Sequence, residues 1–410
     1  MRRVADLIGM VIGANPPIRV VAYDGSKAGP DDAEVALRIE SPRALARLAS
    51  APGTLGLARA YVTGEIEVEG DIYAAIDALA DVTLNSIPRS DQLRVAALML
   101  PIWLRHRPAP PDLEARPRGR KHSKSRDSQA IAHHYDVSNT FYEYVLGPSM
   151  TYTCACYPTA GSTLEEAQTA KHELVAQKLA LAPGMRLLDV GCGWGGMVMH
   201  AAAEHGVRAL GVTLSRGQAE WAQAEIERRG LERLAEVRHL DYRDVAETDF
   251  DAVSSIGLTE HIGREKLPSY FRFLQSKLRP EGRLLNHCIT HPWTVRQRNV
   301  DPFIGRYVFP DGQLVSVGHL VTVMNDAGLE IRHEENLREH YAATLAAWGA
   351  NLEERWTAAV AEVGMARARV WRLYMAASRL GFERDNIQLH QMLGVKLGAA
   401  GRSGFPLRGW

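Results

Sequence analysis

Short apolar strands alternate with helix-like stretches from residue 163 onward, and this alternation restricts the fold more than any other feature. A helix is predicted to begin at Thr163, because Ser162 and Glu165 have the spacing of a capping box, and to end before Pro183. Apolar strands are predicted at residues 185–190, 208–214, 236–240, 251–257 and 282–290. Strands joined by helices in this order form a parallel sheet with helices on both faces. The chain is therefore predicted to be an α/β protein.

The composition of the 410-residue chain excludes several classes of protein. With 46% hydrophobic and 23% charged residues, the chain is expected to form two or three globular domains and not to be disordered. Its 48 basic and 48 acidic residues cancel, which argues against a protein that coats nucleic acid, so no nucleic-acid partner is expected. Four cysteines without a CxxC pair indicate neither a disulfide framework nor a tetrahedral zinc site, and they fit a reducing, cytoplasmic compartment.

One basic, proline-rich segment marks the clearest change in composition. Residues 105–126 contain four prolines, eight lysines or arginines and only two acidic residues. This composition predicts an exposed, mobile linker at residues 105–128. The linker would separate a small α+β domain at residues 1–104 from a larger domain at residues 129–410.

The longest apolar run, residues 95–104, is about half the ~20 residues that span a bilayer, so no membrane-crossing segment is expected. Because Trp103 is followed by the basic segment, this run is a candidate for transient contact with a membrane surface. A buried helix followed by a solvated linker explains the same pattern equally well. If the membrane interpretation holds, binding to anionic vesicles weakens when four basic residues are neutralised, namely Arg116, Arg118, Arg120 and Lys121.

A glycine-rich turn, DVGCGWG at residues 189–195, follows the first predicted strand. Glycines at such a turn let the backbone approach a ligand closely, although a tight strand-to-helix turn explains them as well. The DxGxGxG spacing differs from the GxGxxG of dinucleotide-binding proteins, whose acidic residue comes about 20 residues later. It resembles motif I of class I S-adenosylmethionine methyltransferases. The resemblance implies a cofactor site at Asp189, Gly191, Gly193 and Gly195.

Side chains after the next two strands are further candidates for this cofactor site. Many dinucleotide-binding proteins have a carboxylate after the second strand, where it binds ribose hydroxyls, whereas this chain has neutral residues there. An adenine pocket is expected after the third strand, although Asp241 could instead cap the next turn. The residues at these two positions are Thr213, Leu214, Gln218, Asp241, Tyr242 and Arg243.

Several segments in a fixed order resemble cyclopropane-fatty-acyl-phospholipid synthases. They are HHYD at residues 133–136, MTYTCA at 150–155, EEAQ at 165–168, LLDVGCGWGG at 187–196, EHIG at 260–263 and YVFPDG at 307–312. The resemblance extends over about residues 129–391, and the bacterial phospholipid enzymes of this family share the two-domain layout. It implies a Rossmann-like class I methyltransferase fold, and it adds Tyr152 and Thr153 to the residues expected to bind S-adenosylmethionine.

The resemblance also implies a reaction. Enzymes of this family transfer the methyl group of S-adenosylmethionine to the cis double bond of an unsaturated phospholipid acyl chain, and the carbocation then loses a proton to bound bicarbonate as a cyclopropane forms. The positions that match the bicarbonate ligands are Cys154, Glu260, His287, Ile289 and Tyr341. The structural alternatives are a buried packing cysteine and a histidine of the core. The histidines and cysteines fit no zinc pattern, and no metal is expected.

Other functions explain the same motifs. A hydride shift after the same methyl transfer would give a methylene-branched acyl chain of the 10-methylene stearoyl type, on the way to tuberculostearic acid. A lipid-binding protein with a decayed methyltransferase core is an alternative from another class, and the intact bicarbonate set argues against it. Thr259, where many family members have Phe, puts the product in question. The enzyme is expected in the cytoplasm, in peripheral contact with the inner face of the membrane, and a homodimer is compatible with the sequence.

Overall fold

The computed structural model describes residues 3–12, 18–81, 88–116, 119–124, 126, 137–294 and 300–407. The chain divides into two compact units. The first consists of Met1–Arg116, Asp301–Val308 and Leu352–Leu380, and the second of Pro117–Val300, Phe309–Asn351 and Gly381–Trp410. Each unit therefore combines segments that lie far apart in the sequence.

The first unit contains a small mixed sheet with helices packed against it. Its strands are β1 (Arg19–Ala22), β2 (Lys27–Ala28), β3 (Ala36–Ile39) and β4 (Ile66–Glu69). The helices before residue 117 are α1 (Val4–Ile12), α2 (Pro42–Ser50), α3 (Thr54–Val62), α4 (Ile72–Leu79) and α5 (Arg89–His106). The strand order is β2-β1-β3-β4, in which β1 and β3 are parallel and the other neighbours are antiparallel. Val20 and Ile66 of the sheet pack with Leu45 of α2 in the core.

The long helix α5 has two different faces. Met99 and Ile102 pack against the core of the first unit. Leu93, Leu100 and Leu104 are exposed large apolar side chains of the same helix. Within the described part of the chain, no helix is both long enough and apolar enough to cross a membrane.

The predicted linker at residues 105–128 is not exposed throughout its described part. Glu114 is buried and forms a bidentate ion pair with Arg59 of α3, in which Arg59 Nη2 lies 2.9 Å from Glu114 Oε2. The hydroxyl group of Tyr307 donates to Glu114 Oε1 over 3.1 Å, and the N–H of Ala115 donates to the carbonyl of Arg306 over 2.7 Å. The prediction needs this correction because the partners that bury the segment come from distant parts of the sequence.

The domain boundaries also differ from the single division predicted near residue 104. Residues 105–106 end helix α5, and the first unit continues to Arg116. Two later segments, Asp301–Val308 and Leu352–Leu380, belong to the first unit and not to a continuous domain at residues 129–410. Composition along the chain could not reveal this, because it reports only local changes.

A seven-stranded sheet forms the centre of the second unit. Its strands are β5 (Arg186–Val190), β6 (Arg208–Thr213), β7 (Ala235–His239), β8 (Phe250–Ile256), β9 (Leu278–Thr290), β10 (Leu329–Asn336) and β11 (Gln388–Lys396). The order is β10-β11-β9-β8-β5-β6-β7. The five strands from β9 to β7 are parallel, and β11 is antiparallel to both of its neighbours. The predicted α/β class with a mostly parallel sheet is confirmed.

Helices cover both faces of this sheet. Neighbouring residues of β5 point to opposite faces, so that Leu187 joins one apolar cluster with Val198 while Leu188 joins another with Phe271. The helices of the second unit after residue 137 are α6 (Asn139–Leu146), α7 (Leu164–Leu179), α8 (Gly196–His205), α9 (Arg216–Arg228), α10 (Thr259–Ile262), α11 (Leu267–Lys277), α12 (Val317–Asp326) and α13 (Arg338–Glu354). Two later helices, α14 (Trp356–Val363) and α15 (Met365–Glu383), lie wholly or mostly in the first unit. Short helical turns occur at Tyr242–Asp244, Arg264–Lys266, Ile304–Val308 and Ala399–Gly401.

The start of α7 differs slightly from the predicted one. The capping box forms between Thr163 and Glu166, one residue later than the Ser162 and Glu165 predicted from the sequence. Thr163 Oγ1 accepts from the N–H of Glu166, whose side chain accepts from the N–H of Thr163. Both pairs have the required spacing, and local sequence alone does not decide between them.

Candidate active site

A pocket opens at the carboxyl ends of β5, β6 and β8. The strand order reverses here, with β6 on one side of β5 and β8 on the other, and α/β sheets bind their ligands at such a point. The predicted cofactor residues that line the pocket are Tyr152, Thr153, Asp189, Gly191, Gly193, Thr213, Leu214, Gln218, Tyr242 and Arg243. The sequence therefore predicted most of one side of this pocket.

The glycine turn serves both the pocket and the packing beneath it. Gly191 lines the pocket at φ +73°, and a Cβ there would lie 3.1 Å from the Cβ of Leu258. Gly195 is not among the residues that line the pocket, and its role in cofactor binding stays a prediction. A Cβ on Gly195 would lie 3.2 Å from Ala222 of α9 and 3.3 Å from Val237 of β7. The absence of a side chain at Gly195 therefore lets the turn before α8 pack closely against these two elements.

Asp189 supports the turn from inside the sheet. Its carboxylate accepts a hydrogen bond from Ser254 Oγ over 2.6 Å. Burial raises the pKa of Asp189 to about 6, although Ser254 and the nearby cation of Lys171 oppose the shift. Asp189 therefore fixes the end of β5 next to β8, where the cofactor would lie.

Neutral side chains occupy the position at which many related folds have a ribose-binding carboxylate. Thr213 Oγ1 donates to Gln218 Oε1 over 2.8 Å, and both residues line the pocket. Ser215 caps the following helix α9 by accepting from the N–H of Gln218. Thr213 thus orients the side-chain carbonyl group of Gln218, and neither side chain carries a formal charge.

Asp241 orients its neighbour and is not among the residues that line the pocket, so its role in cofactor binding stays a prediction. Its carboxylate accepts from the N–H of Arg243 over 3.0 Å and from the Arg243 guanidinium over 2.8 and 2.6 Å. Asp241 therefore caps the turn that presents Tyr242 and Arg243 to the pocket. The turn cap that the sequence offers as an alternative for Asp241 is therefore present in the structure.

Helix α7 contributes two pocket residues to which the sequence assigned no role, Lys171 and His172. Lys171 Nζ donates to Thr153 Oγ1 over 3.1 Å, and burial lowers the pKa of Lys171 to about 8. Burial also lowers the pKa of His172 well below its usual value. A lysine at a core-facing position of an amphipathic helix was the available signal, because lysine is rarely buried without a reason.

Three of the predicted catalytic residues meet at the ends of β8 and β9. Glu260 Oε1 accepts from the N–H of Ile289 over 2.6 Å, and the N–H of Gly257 donates to the carbonyl of His287 over 2.8 Å. The N–H of Ile289, a position that matches a bicarbonate ligand, thus holds Glu260. Within this group of three residues, Glu260 Oε2 and His287 Nε2 are buried and have no hydrogen-bond partner among the described residues.

A buried polar chain fixes the orientation of His287. Lys178 Nζ donates to Glu335 and, over 2.6 Å, to Gln391 Oε1. Because the lysine can only donate, the amide nitrogen of Gln391 faces His287 Nδ1 at 3.1 Å and donates to it. Burial and the cations of Lys171 and Lys178 lower the pKa of His287 well below its usual value. His287 is therefore neutral and carries its proton on the unpartnered Nε2.

Cys154 and Tyr341 meet at one backbone carbonyl. Cys154 Sγ lies 3.8 Å from the carbonyl oxygen of Leu337, which also accepts from the N–H of Tyr341 over 3.1 Å. The N–H of Leu337 donates to Leu389, which pairs with Ile289 across the sheet. This chain of backbone contacts connects the two groups of predicted catalytic residues. Burial raises the pKa of Cys154 well above its usual value, so Cys154 is a neutral thiol.

Known proteins are similar to this chain in sequence and in fold. The model of the mycolic acid cyclopropane synthetase family matches residues 122–392. The chain belongs to this family. A probable fatty acid methyltransferase of Mycobacterium tuberculosis is 54% identical over 406 residues, which cover 96% of this chain and 94% of the relative. The cyclopropane-fatty-acyl-phospholipid synthase of Escherichia coli is 32% identical over 360 residues, which cover 87% of each chain.

A solved structure extends the likeness to the fold. The mycolic acid cyclopropane synthase CmaA1 in complex with SAH and CTAB is 31% identical to this chain, with a TM-score of 0.62. The match covers 65% of this chain and 97% of CmaA1. The resemblance drawn from the sequence motifs is confirmed. This member of the mycolic acid cyclopropane synthetase family is an S-adenosylmethionine-dependent methyltransferase.

Two features of the family resemblance have different outcomes in the structure. The HHYD segment at residues 133–136 lies outside the described residues. Thr259, which differs from the Phe of many family members, is buried, and its hydroxyl group donates to Asn286 Oδ1 over 2.6 Å. The polar group introduced by Thr259 is therefore satisfied inside the sheet.

The unusual ionisation of Glu260 gives a testable pH dependence. Burial raises the pKa of Glu260 from 4.5 to about 7. Between these two pH values, the carboxyl group is protonated in the folded protein but ionised in the unfolded chain. The wild type should therefore lose stability relative to Glu260→Gln as the pH rises from about 4.5 to about 7. Urea denaturation of both proteins across this range measures the difference. Parallel stability curves would contradict the assigned burial of Glu260.

Proposed function

We propose that this methyltransferase acts on the cis double bond of an unsaturated phospholipid acyl chain and converts it into a cyclopropane. The observation that carries the proposal is the pair of buried, unpartnered polar atoms, Glu260 Oε2 and His287 Nε2, within the matched catalytic set. Burying a carboxyl oxygen and an imidazole nitrogen without hydrogen-bond partners costs free energy. A ligand that forms hydrogen bonds with both atoms would remove this cost.

The proposed reaction makes two carbon–carbon bonds in succession. The π electrons of the alkene form a bond to the methyl carbon of S-adenosylmethionine while its bond to sulfur breaks, which leaves a carbocation on the neighbouring carbon. Loss of a proton from the new methyl group then lets the C–H electron pair close the ring. An alkene is a weak nucleophile, so the site must hold the two reactants in contact and exclude water.

The residues of the matched catalytic set can supply hydrogen-bond donors to a small anion. His287 can donate from Nε2, and the thiol of Cys154 stays protonated. Glu260, with a pKa of about 7, can also donate a hydrogen bond in its protonated form. Bicarbonate, when bound there, would supply a base small enough to accept a proton beside an acyl chain. Lys178 and Gln391 would act as positioning residues, because they keep the proton of His287 on Nε2.

The experiment is incubation of the purified protein with S-adenosylmethionine and vesicles of oleoyl phospholipid, followed by analysis of the extracted acyl chains. We expect one added carbon per modified chain and loss of the olefinic signal. An exocyclic alkene would instead identify the methylene-branched product, which begins with the same methyl transfer. Absence of methyl incorporation into any phospholipid would contradict the proposed substrate.

We also propose that helix α5 touches the bilayer that holds this substrate, at the inner face of the membrane. Leu93, Leu100 and Leu104 are 73%, 52% and 46% exposed, and their spacing of seven and four residues gives them one face of the helix. Arg94 and Arg105 are exposed on the same helix and suit an anionic surface. An apolar stripe flanked by arginines is typical of helices that lie in a membrane interface.

The triple substitution Leu93→Ser, Leu100→Ser and Leu104→Ser tests this surface. Full burial of one leucine is worth roughly 1.5–3 kcal/mol, so partial insertion of three should make vesicle binding at least about tenfold weaker when they are removed. Co-sedimentation with anionic phospholipid vesicles measures the change. Leu57→Ser, at a 42% exposed leucine of α3, is the matched control. Equal binding by the triple variant and the wild type would reject the stripe as the docking surface.

A further inference from the structure

Three potential metal ligands converge between two helices of the second unit. Glu173 comes from α7, and His200 and His205 come from α8. Glu173 Oε2 lies 3.3 Å from His200 Nε2 and 3.0 Å from His205 Nε2. The three ligand atoms all lie within 4.8 Å of one another. None of these residues belongs to the predicted cofactor or catalytic sets.

The distances match the size of a coordinated metal ion. Zinc with ligand bonds of about 2.0–2.1 Å has tetrahedral ligand atoms about 3.3 Å apart. The two distances from Glu173 to the histidines already have nearly this length. Two imidazoles and one carboxylate form an open zinc site, in which water fills the fourth position. Two of the three distances between ligand atoms therefore already suit a zinc ion.

Neighbouring contacts prepare the ligands for a cation. Gln177 Nε2 donates to Glu173 Oε1 over 2.9 Å, which leaves Oε2 for the histidines. Burial lowers the pKa of His200, although Glu173 opposes the shift. Burial acts to raise the pKa of Glu173, but hydrogen bonds from His205, Gln177 and His200 lower it overall.

Solvent can reach this group from one side. The side chain of Glu173 is 38% exposed and that of His205 is 20% exposed, whereas His200 is 11% exposed. This gives an entry path for an ion and room for a water ligand. The ring of His200 also lies 5.6 Å from that of His172, which lines the cofactor pocket. The group therefore connects the pocket wall to the surface.

We propose that Glu173, His200 and His205 bind one divalent transition-metal ion, preferentially Zn²⁺, which links α7 to α8. Imidazole and carboxylate ligands favour zinc over the harder Mg²⁺ and Ca²⁺ ions. Sequence spacing did not indicate the site, because Glu173 precedes the histidines by 27 and 32 residues. The proposal is independent of the reaction and of its lipid substrate.

Titration of the tag-free, metal-free full-length protein with Co²⁺ and Zn²⁺ tests the site. We expect one Co²⁺ per chain with visible absorption typical of imidazole and carboxylate ligands, displaced by Zn²⁺. The melting temperature should rise with Zn²⁺ concentration, because the ion binds only the folded protein. Gln177→Ala should lower the affinity about tenfold, and His200→Ala or Glu173→Gln by about 100-fold or more.

His333→Ala, which removes a partly exposed histidine from β10, is the matched control and should leave the affinity unchanged. Far-UV circular dichroism and binding of S-adenosylhomocysteine establish that each variant is folded. If His200→Ala fails to fold, the near-isosteric Glu173→Gln decides the question. Absence of one-to-one binding by the wild type would overturn the proposal. So would binding that Glu173→Gln and His333→Ala affect equally.

Discussion

Replacing His287 by Ala or Glu260 by Gln should lower kcat for the proposed methyl transfer to phospholipid roughly 100- to 10,000-fold, the range typical of groups that donate or accept a proton in the transition state. The affinity for S-adenosylmethionine should change little, because neither residue lines the pocket formed by the glycine turn. Incorporation of labelled methyl groups into vesicle lipids measures kcat. Calorimetric titration with S-adenosylhomocysteine measures binding separately.

The exposed Glu265, in the turn after Glu260, provides a matched control. Glu265→Gln removes the same charge from the same region and should retain wild-type turnover. Loss of S-adenosylhomocysteine binding in Glu260→Gln or His287→Ala would mean that these residues belong to the cofactor site. Wild-type turnover in both variants would remove them from the reaction altogether.

Glu114→Ala should lower the free energy of unfolding by about 3–5 kcal/mol, the usual cost of leaving one partner of a buried ion pair without the other. Arg59 would remain in a site where only 12% of its side chain is exposed. Tyr307→Phe removes only the hydrogen bond to Glu114 and should cost about 1 kcal/mol. Urea denaturation followed by circular dichroism gives both values.

Asp112 lies two residues earlier in the same proline-rich segment and is exposed. Asp112→Ala should change the stability by no more than about 0.5 kcal/mol. The pair of variants distinguishes the two views of this segment. An exposed linker predicts equal, small effects at both positions, whereas the buried ion pair predicts a large effect at Glu114 alone.

The parts of the site that the sequence predicted are those built from neighbouring residues. The glycine turn can be found because its sharp geometry needs glycines a few residues apart, after a strand and before a helix. Thr213 and Gln218 are likewise five residues apart, at the end of β6 and the start of α9. Strand alternation with helices is also a local pattern, so the α/β class followed from it directly.

The parts that the sequence did not predict depend on residues that meet only after folding. Gln391 lies 104 residues from His287 and 213 from Lys178, and nothing near any of them indicates this contact. Composition places Glu114 in an exposed segment because residues 105–126 are rich in proline and basic residues. The motifs predict Gly195 and Asp241 at the cofactor site. A motif, however, does not distinguish a residue that contacts the ligand from one that positions a neighbouring residue.

The discontinuous first unit has a consequence for synthesis of the protein. Its last segment ends at Leu380, close to the end of the 410-residue chain. At about 5–20 residues per second, the ribosome needs roughly 13–53 s to pass from residue 116 to residue 380. Until then, residues 1–116 lack the later segments that complete their unit. The N-terminal residues must wait for the C-terminal ones, so the two units mature together and not one after the other.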